Sequence, residues 1–109
     1  MSVRRIAQVI GIKPQDIEEY ERIHANVWPS VLATIKKANI QNYSIFRYEH
    51  LLFAYMEYTG SDYEADMKSI AADPETQRWW KITDAMQSQG PEAISGEWWH
   101  VIPENFHID

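Results

Sequence analysis

The segment from Leu51 to Tyr58 constrains the fold more than any other part of the chain. It reads as a β-strand that is apolar on both faces, with Leu51, Phe53 and Tyr55 on one face and Leu52, Ala54, Met56 and Tyr58 on the other. Such a strand must be covered on both sides. We expect helices on one face and a second copy of the chain, packed sheet against sheet, on the other. The alternative is that the late aromatic segment of the same chain folds over the second face.

The other segments predict elements in the order β-α-β-β-α-β. Strands are predicted at Arg4–Ile12, Ile40–Tyr48, Leu51–Tyr58 and either Trp98–Ile102 or Phe106–Ile108, with a tight turn at Glu49-His50. A first helix is predicted from Pro14 through Trp28, and a second from Pro29 to a stop at Asn39, with Val31, Leu32 and Ile35 turned inward. Ser61-x-x-Glu64 predicts a capping box, and Asp73-Pro74 predicts a further helix that ends before Gly90. This order is typical of the ferredoxin-like, two-layer α+β fold, here as one domain over residues 1–109.

Charge and composition exclude several classes of function. The 109 residues include 10 Lys and Arg against 16 Asp and Glu, and 10 − 16 gives the net charge of −6. An acidic chain is a poor ligand for nucleic acid and for anionic membranes. There is no cysteine, which excludes disulfides and thiolate metal sites. No apolar run approaches the roughly 20 residues that span a bilayer, so we expect a cytoplasmic protein.

Tyr20 and His24 are the first candidates for a functional site. They lie four residues apart on an otherwise apolar helix face, so they should stack on each other. Histidine can give and take a proton near neutral pH. Because His24 falls late in its helix, the negative carboxyl end should favour its cationic form. The alternative is a buried histidine that packs beside a core tyrosine without a role in chemistry.

Three further aromatic residues are candidates for binding. Adjacent helical positions point about 100° apart, so Trp79 and Trp80 should face different surroundings, one the core and the other a cleft or an interface. Tyr43 lies on a strand, on the same face as Gln41 and Ile45. Aromatic faces stack well on sugars and other rings. The alternative for all three residues is ordinary packing in the core or in a dimer interface.

Several common chemistries have no signature in the chain. There is no glycine-rich phosphate loop and no Gly-x-Ser-x-Gly elbow. The four histidines do not pair with one another at ligand spacing, and no acidic cluster flanks them, so the pattern gives weak support to a metal site. What remains is proton transfer on a small neutral molecule, or binding alone.

Taken together, the motifs resemble those of the L-rhamnose mutarotase family over nearly the whole chain. The matching segments are Tyr20-x-Arg22-x-His24-x-x-x-Trp28-Pro29, Asn42-Tyr43-Ser44-Ile45, Leu52-Phe53 with Glu57, Gln77-Arg78-Trp79-Trp80, and Glu104-Asn105-Phe106-His107-Ile108. The chain departs from the family pattern at Ala25-Asn26 and Ser30, and its Trp98-Trp99-His100 segment is unusually aromatic.

The resemblance implies a dimeric α+β barrel that needs no metal or organic cofactor. It implies an enzyme that interconverts the α and β anomers of a free monosaccharide, with His24 as the acid/base residue. The sugar contacts that it implies are Tyr20, Tyr43, Trp79 and Trp80. Two alternatives remain at this stage: a haem-binding or monooxygenase-type member of the same fold with His24 as axial ligand, and a non-catalytic binding module.

Overall fold

A computed structural model describes residues 3–89 and 97–109 of the chain. Within these ranges the elements are β1 (Arg4–Ile12), a short 3-10 helix (Pro14–Asp16), α1 (Ile17–His24), α2 (Pro29–Lys37), β2 (Ile40–Tyr48), β3 (Leu51–Tyr58), α3 (Tyr63–Ala72), α4 (Pro74–Met86), β4 (Gln87–Ser88) and β5 (His100–Ile102). The α+β class and the predicted β-α-β-β-α-β order are confirmed. Each of the two helical segments is a pair of helices whose second member begins at a proline.

The strands form one antiparallel sheet in the order β2-β3-β1-β4, and β5 also pairs with β1. The central strand β1 pairs with β3 from Arg4 to Gly11. Along its other edge β1 receives two short partners, β4 at Gly11 and Ile12 and β5 from Ala7 to Val9. The strand β1 therefore pairs with the β2–β3 hairpin, through β3, and with both short strands of the carboxyl-terminal part, β4 and β5.

The two faces of β3 have different surroundings. Its buried side chains are those of Leu52, Ala54, Met56 and Tyr58, and they lie under the helices. The alternate residues, Leu51, Phe53 and Tyr55, are only half-buried in the single chain. The helices thus cover one face of the sheet, as expected from the apolar pattern of this strand.

Among the described residues, the core under the helices contains two separate clusters. One is built around Ile6, Met56 and Ile70, and the other around Ile10 and Leu52. Between them the sheet carries the pair Gln8–Ala54, in register on the same face as the bulky pairs Ile6–Met56 and Ile10–Leu52. An amide and a methyl group fill less apolar volume than an isoleucine and a leucine, so the layer between sheet and helices is open at this point.

The first helical segment differs from its prediction. The helix α1 ends at His24, and Ala25 and Asn26 form a turn, so Trp28 is the residue before α2 and not part of the first helix. Pro29 begins α2, because a proline at the first helical position needs no hydrogen-bond acceptor for its nitrogen. Leu32, predicted to turn inward, is 47% exposed.

Two predicted turns are confirmed. The left-handed φ of 66° at Asn39 ends α2, and the φ of 52° at Glu49 allows the tight connection between β2 and β3. Asparagine adopts this backbone region more readily than most residues, which explains why the stop could be recognised in the sequence.

The caps of α3 and α4 were predicted with unequal success. Asp62, not Ser61, caps α3, because its carboxylate accepts a hydrogen bond from the Ala65 backbone N–H at 3.1 Å. A carboxylate also interacts more favourably than a hydroxyl with the positive amino end of a helix. Asp73 caps α4 as predicted, and it accepts hydrogen bonds from both the backbone N–H and the hydroxyl of Thr76.

In the carboxyl-terminal part, the last helix ends before Gly90 as predicted, but the short strand β4 that follows it was not predicted. The last helix ends at Met86, because Gln87 and Ser88 pair with β1 instead of continuing the helix. The final strand lies at His100–Ile102, within the first of its two predicted positions. The predicted loop from Ala93 to Gly96 lies outside the described residues. In the part of the chain that the structure describes, no helix is long and apolar enough to cross a membrane.

The close approach of β4 to β1 depends on Gly11. A Cβ atom at this position would lie 2.6 Å from the Ser88 hydroxyl and 2.9 Å from the Ser88 carbonyl oxygen. The side chain can rotate away, but the carbonyl belongs to the strand and can move only with it. We therefore predict that Gly11→Ala lowers the free energy of unfolding by about 1–3 kcal/mol, as over-packing usually does.

Urea denaturation of Gly11→Ala with and without Ser88→Ala tests this prediction. Removal of the hydroxyl should rescue only part of the loss, because the carbonyl contact persists. An unchanged midpoint for Gly11→Ala would show that β4 does not need the close approach.

Candidate active site

A cleft of about 960 Å³ opens between the sheet and the helices, above the gap in the core. Its volume lies within the range of about 300–1,000 Å³ that is usual for small-molecule sites. The structure brings all of the sequence-predicted site residues to the walls of this cleft, namely Tyr20, His24, Tyr43, Trp79 and Trp80. They come from α1, β2 and α4, so the cleft joins parts of the chain that are distant in sequence.

A chain of aromatic contacts forms one wall of the cleft. The rings of Tyr20 and His24 stack with centroids 4.0 Å apart. The rings of His24 and Trp79 meet in a T-shaped contact with centroids 5.3 Å apart, and those of Trp28 and Trp79 do so at 5.2 Å. These contacts hold the imidazole in a defined orientation on the helix end.

The His24 ring has a defined tautomer. Its Nδ1 atom lies 2.7 Å from the backbone carbonyl oxygen of Tyr20, one turn earlier on α1. A carbonyl oxygen only accepts hydrogen bonds, so Nδ1 must carry the proton and donate it. In the neutral ring the lone pair is then on Nε2, which is the nitrogen able to accept a proton.

Burial lowers the pKa of His24 below its ordinary value of 6.5, and the hydrogen bond to the Tyr20 carbonyl opposes this only in part. The prediction that the helix end would favour the cationic form is therefore wrong. Desolvation disfavours the charged ring more strongly than the hydrogen bond to the Tyr20 carbonyl stabilises it. The neutral, proton-accepting form is the one that prevails at neutral pH.

Tyr20 is the most deeply buried tyrosine of the cleft wall, at 3% exposure. Burial raises the pKa of its hydroxyl, and the hydrogen bond that the Gln87 side chain donates to it, at 3.2 Å, acts in the opposite direction. Its hydroxyl therefore keeps its proton across the physiological range and can serve as a hydrogen-bond donor.

Tyr43 reaches the cleft through a bulge in β2. The pairing with β3 shifts between Gln41 and Ser44, so that Asn42 and Tyr43 together lie opposite one residue, Met56. Asn42 has a left-handed φ of 48°. The bulge separates Tyr43 from Gln41, whose side chain bonds Glu57 instead, and corrects the prediction that the two share a face.

The carboxylate of Glu57 holds this bulge. One of its oxygens accepts hydrogen bonds from the side-chain amides of Gln41 at 3.0 Å and Asn42 at 2.7 Å, and the other accepts one from Tyr55. These bonds lower the pKa of Glu57. They anchor the irregular backbone from which Tyr43 extends into the cleft.

The Tyr43 side chain is 40% exposed, yet the surrounding protein raises the pKa of its hydroxyl to about 12. Both observations follow from its place on a concave wall, where water reaches the ring but protein atoms surround the hydroxyl. Like Tyr20, Tyr43 offers the cleft a neutral phenol.

The two adjacent tryptophans point in different directions, as predicted. Trp79 is 7% exposed and belongs to the aromatic wall, whereas Trp80 is 40% exposed at the rim of the cleft. Trp79 thus serves the core and the cleft at the same time, while Trp80 is available to a ligand or a partner.

The sequence reasoning missed several polar residues of the cleft, among them Gln8, Asp84 and Gln87. Gln8 did carry a signal, because it is the one polar residue in the inward-facing series Ile6, Gln8, Ile10 and Ile12 of β1. Burial raises the pKa of Asp84. Across residues 3–89 and 97–109, no group of three or more potential metal-ligating side chains comes together.

Comparisons with known proteins agree with this architecture. The family model for L-rhamnose mutarotase matches residues 5–108. Curated relatives named L-rhamnose mutarotase include a protein of Opitutus terrae, 33% identical over 96% of this chain and 98% of its own length. Another, from Escherichia coli, is 36% identical over 85% of this chain and 90% of its own length.

A solved structure, the crystal structure of an L-rhamnose mutarotase from Formosa agariphila, superposes with a TM-score of 0.77 at 19% identity. It covers 97% of this chain and 99% of its own. At this sequence identity the structural similarity establishes the fold alone, while the family model and the curated relatives establish membership of the family. The chain belongs to the L-rhamnose mutarotase family.

Proposed function

We propose that this protein accelerates the interconversion of the α and β anomers of L-rhamnose, with His24 as the residue that transfers the proton. Membership of the family makes it an anomer-interconverting isomerase. The observation that carries the role of His24 is its geometry. The ring is fixed between Tyr20 and Trp79, its Nδ1 proton is held by a carbonyl, and its unprotonated Nε2 is on a ring that lines the cleft.

The reaction needs proton transfer at two oxygens. The cyclic hemiacetal opens when the anomeric hydroxyl loses a proton and the ring oxygen gains one, and the carbon–oxygen bond of the ring breaks. The free aldehyde rotates and the ring closes again on either face. A neutral imidazole accepts the anomeric proton, and the imidazolium so formed delivers a proton to the ring oxygen as the carbon–oxygen bond breaks. On closure the two transfers run in reverse, and such acid–base catalysis contributes about 10²–10⁴-fold to the rate.

The cleft walls match a neutral sugar. The rings of Trp79 and Trp80 present aromatic faces, against which the C–H bonds of a pyranose pack well. Tyr20 and Tyr43 present neutral hydroxyls, and Gln8 and Asp84 add amide and carboxylate groups for the sugar hydroxyls. This mixture of apolar surface and a few polar groups is typical of sites for small polar molecules.

A homodimer is the second part of the proposal. The face of the sheet that the helices leave open carries Phe46 and Tyr48, which are 63% and 67% exposed. They pair in register with Phe53 and Leu51, so the four side chains form one apolar surface, here called the open face. A second copy on this face would cover it by an isologous contact.

The cytoplasmic location predicted from the sequence stays a prediction.

Of the two alternatives from the sequence, the haem or monooxygenase interpretation has no observation in its favour. The binding-module interpretation predicts that His24 is dispensable, and it is separated from the mutarotase by the first experiment below.

The substitution His24→Asn should slow catalysed anomer exchange by at least about 10²-fold, because asparagine keeps a hydrogen bond but cannot transfer a proton. The measurement is NMR exchange between the two anomeric resonances of L-rhamnose, with and without protein. His50→Asn is the matched control, since His50 lies exposed in the turn between β2 and β3 and should leave the rate unchanged. A wild-type rate in His24→Asn would favour the binding module.

The pH dependence of exchange follows from the lowered pKa of His24. An ordinary histidine is half protonated at pH 6.5, but His24 is still mostly neutral there and keeps its acceptor. The catalysed rate, after subtraction of the protein-free rate, should therefore lose less than half of its neutral value at pH 6.5, and the midpoint of its acid limb should lie below 6.5. An acid limb with its midpoint above 6.5 would contradict this assignment.

Dimerisation can be tested by charge on the open face. Phe46→Lys should shift the sedimentation mass at micromolar concentration from that of a dimer toward the 12.8 kDa of one chain. Ile82→Lys is the control, because Ile82 is 40% exposed on α4, away from this face. Wild-type protein that sediments as a single chain would refute the dimer.

A further inference from the structure

The hydroxyl of Tyr20 lies at the end of a buried chain of hydrogen bonds that begins at Trp98. The indole Nε1–H of Trp98 donates to Oε1 of Gln87 at 2.8 Å. The Nε2 of Gln87 then donates to the Tyr20 hydroxyl oxygen at 3.2 Å. Gln87 and Tyr20 are 4% and 3% exposed, so water does not compete freely for these groups.

This chain of bonds has one direction. An indole N–H can only donate, so the Gln87 amide must turn its oxygen toward Trp98 and its NH₂ group toward Tyr20. The NH₂ group can likewise only donate, so the Tyr20 oxygen is the acceptor of that bond. The phenol keeps its own proton, which is then free to be donated elsewhere, and the residue lines the cleft.

We propose that Gln87, aligned by Trp98, is a positioning residue that fixes the Tyr20 hydroxyl as a hydrogen-bond donor to a sugar oxygen in the cleft. The identity of the ligand as a sugar rests on the proposed function, whereas the chain of hydrogen bonds rests on the geometry alone. The arrangement complements His24, which stacks on Tyr20 and offers an acceptor at Nε2. The cleft thereby presents one donor and one acceptor side by side. Opening of the hemiacetal needs both, because one of its oxygens gains a proton and the other loses one.

The backbone around Gln87 supports this role. Gln87 is the first residue of β4, and its pairing with Ile12 of β1 fixes the position of its Cα atom. The helix α4 ends one residue earlier, which turns the Gln87 side chain away from the helical path and toward Tyr20. The indole N–H of Trp98 also lies beside the Asp84 carboxylate, which adds a second acceptor and holds the indole at this end of the cleft.

The activity test is a double-mutant cycle between Gln87 and Tyr20. Gln87→Met keeps the size of the side chain but removes both hydrogen bonds. We expect it to lower kcat/KM for anomer exchange about tenfold, and we expect the same of Tyr20→Phe. The double variant should be no slower than Tyr20→Phe, because without the hydroxyl Gln87 has nothing to orient. Gln89→Met is the control, since Gln89 bonds the Glu97 carbonyl at the surface. Losses that add in the double variant would overturn the proposal.

A second measurement, on the sugar-free protein, reads the hydrogen bonds directly. In ¹⁵N–¹H spectra, Gln87→Met should shift the Trp98 indole N–H resonance, because the indole keeps only its Asp84 acceptor, and Tyr20→Phe should shift one Gln87 side-chain amide proton. If neither change occurs, the chain of bonds is absent and the proposal is overturned whatever the activity. If both occur but the wild-type protein does not accelerate anomer exchange, the proposed function is overturned. The role of Tyr20 as a hydrogen-bond donor to the sugar is then overturned with it, while the chain of hydrogen bonds stands.

Discussion

The antiparallel register between β1 and β3 is the constraint on which the rest of the structure depends. It places two bulky apolar pairs, Ile6–Met56 and Ile10–Leu52, in the two core clusters and the pair Gln8–Ala54 between them. A slip of one residue would send every one of these side chains to the other face. The same register therefore places bulky apolar pairs in the two core clusters and a pair of low apolar volume between them, and the cleft lies above that gap.

Burial then decides the chemistry of the groups around this gap. The end of α1 would by itself favour a cationic His24, but the aromatic wall removes water from the ring and lowers its pKa. The same desolvation raises the pKa values of Tyr20 and Tyr43. All three groups are thus kept uncharged at neutral pH, which suits a reaction in which a neutral sugar exchanges protons.

Much of the fold and of the site could be predicted because it depends on local patterns. The strand from Leu51 to Tyr58 and the stop at Asn39 follow from side-chain periodicity and backbone preference, and the stacking of Tyr20 on His24 follows from helical spacing. The errors arose where local signals compete. Ser61 and Asp62 both suit a helix cap, and Gln87 continues a good helical sequence until β1 offers its backbone a partner.

By itself the sequence determined the order of the elements, the apolar open face of the sheet and several of the aromatic side chains that line the cleft. Only the tertiary structure decided where the side chains of the cleft point, which of them are protonated and in which direction they hydrogen-bond. The bulge that turns Tyr43 inward depends on Glu57 in another strand, and the direction of the Tyr20 hydroxyl depends on Gln87 and Trp98. Protonation and hydrogen-bond direction depend on burial and on partners distant in the chain, and such contacts exist only after folding.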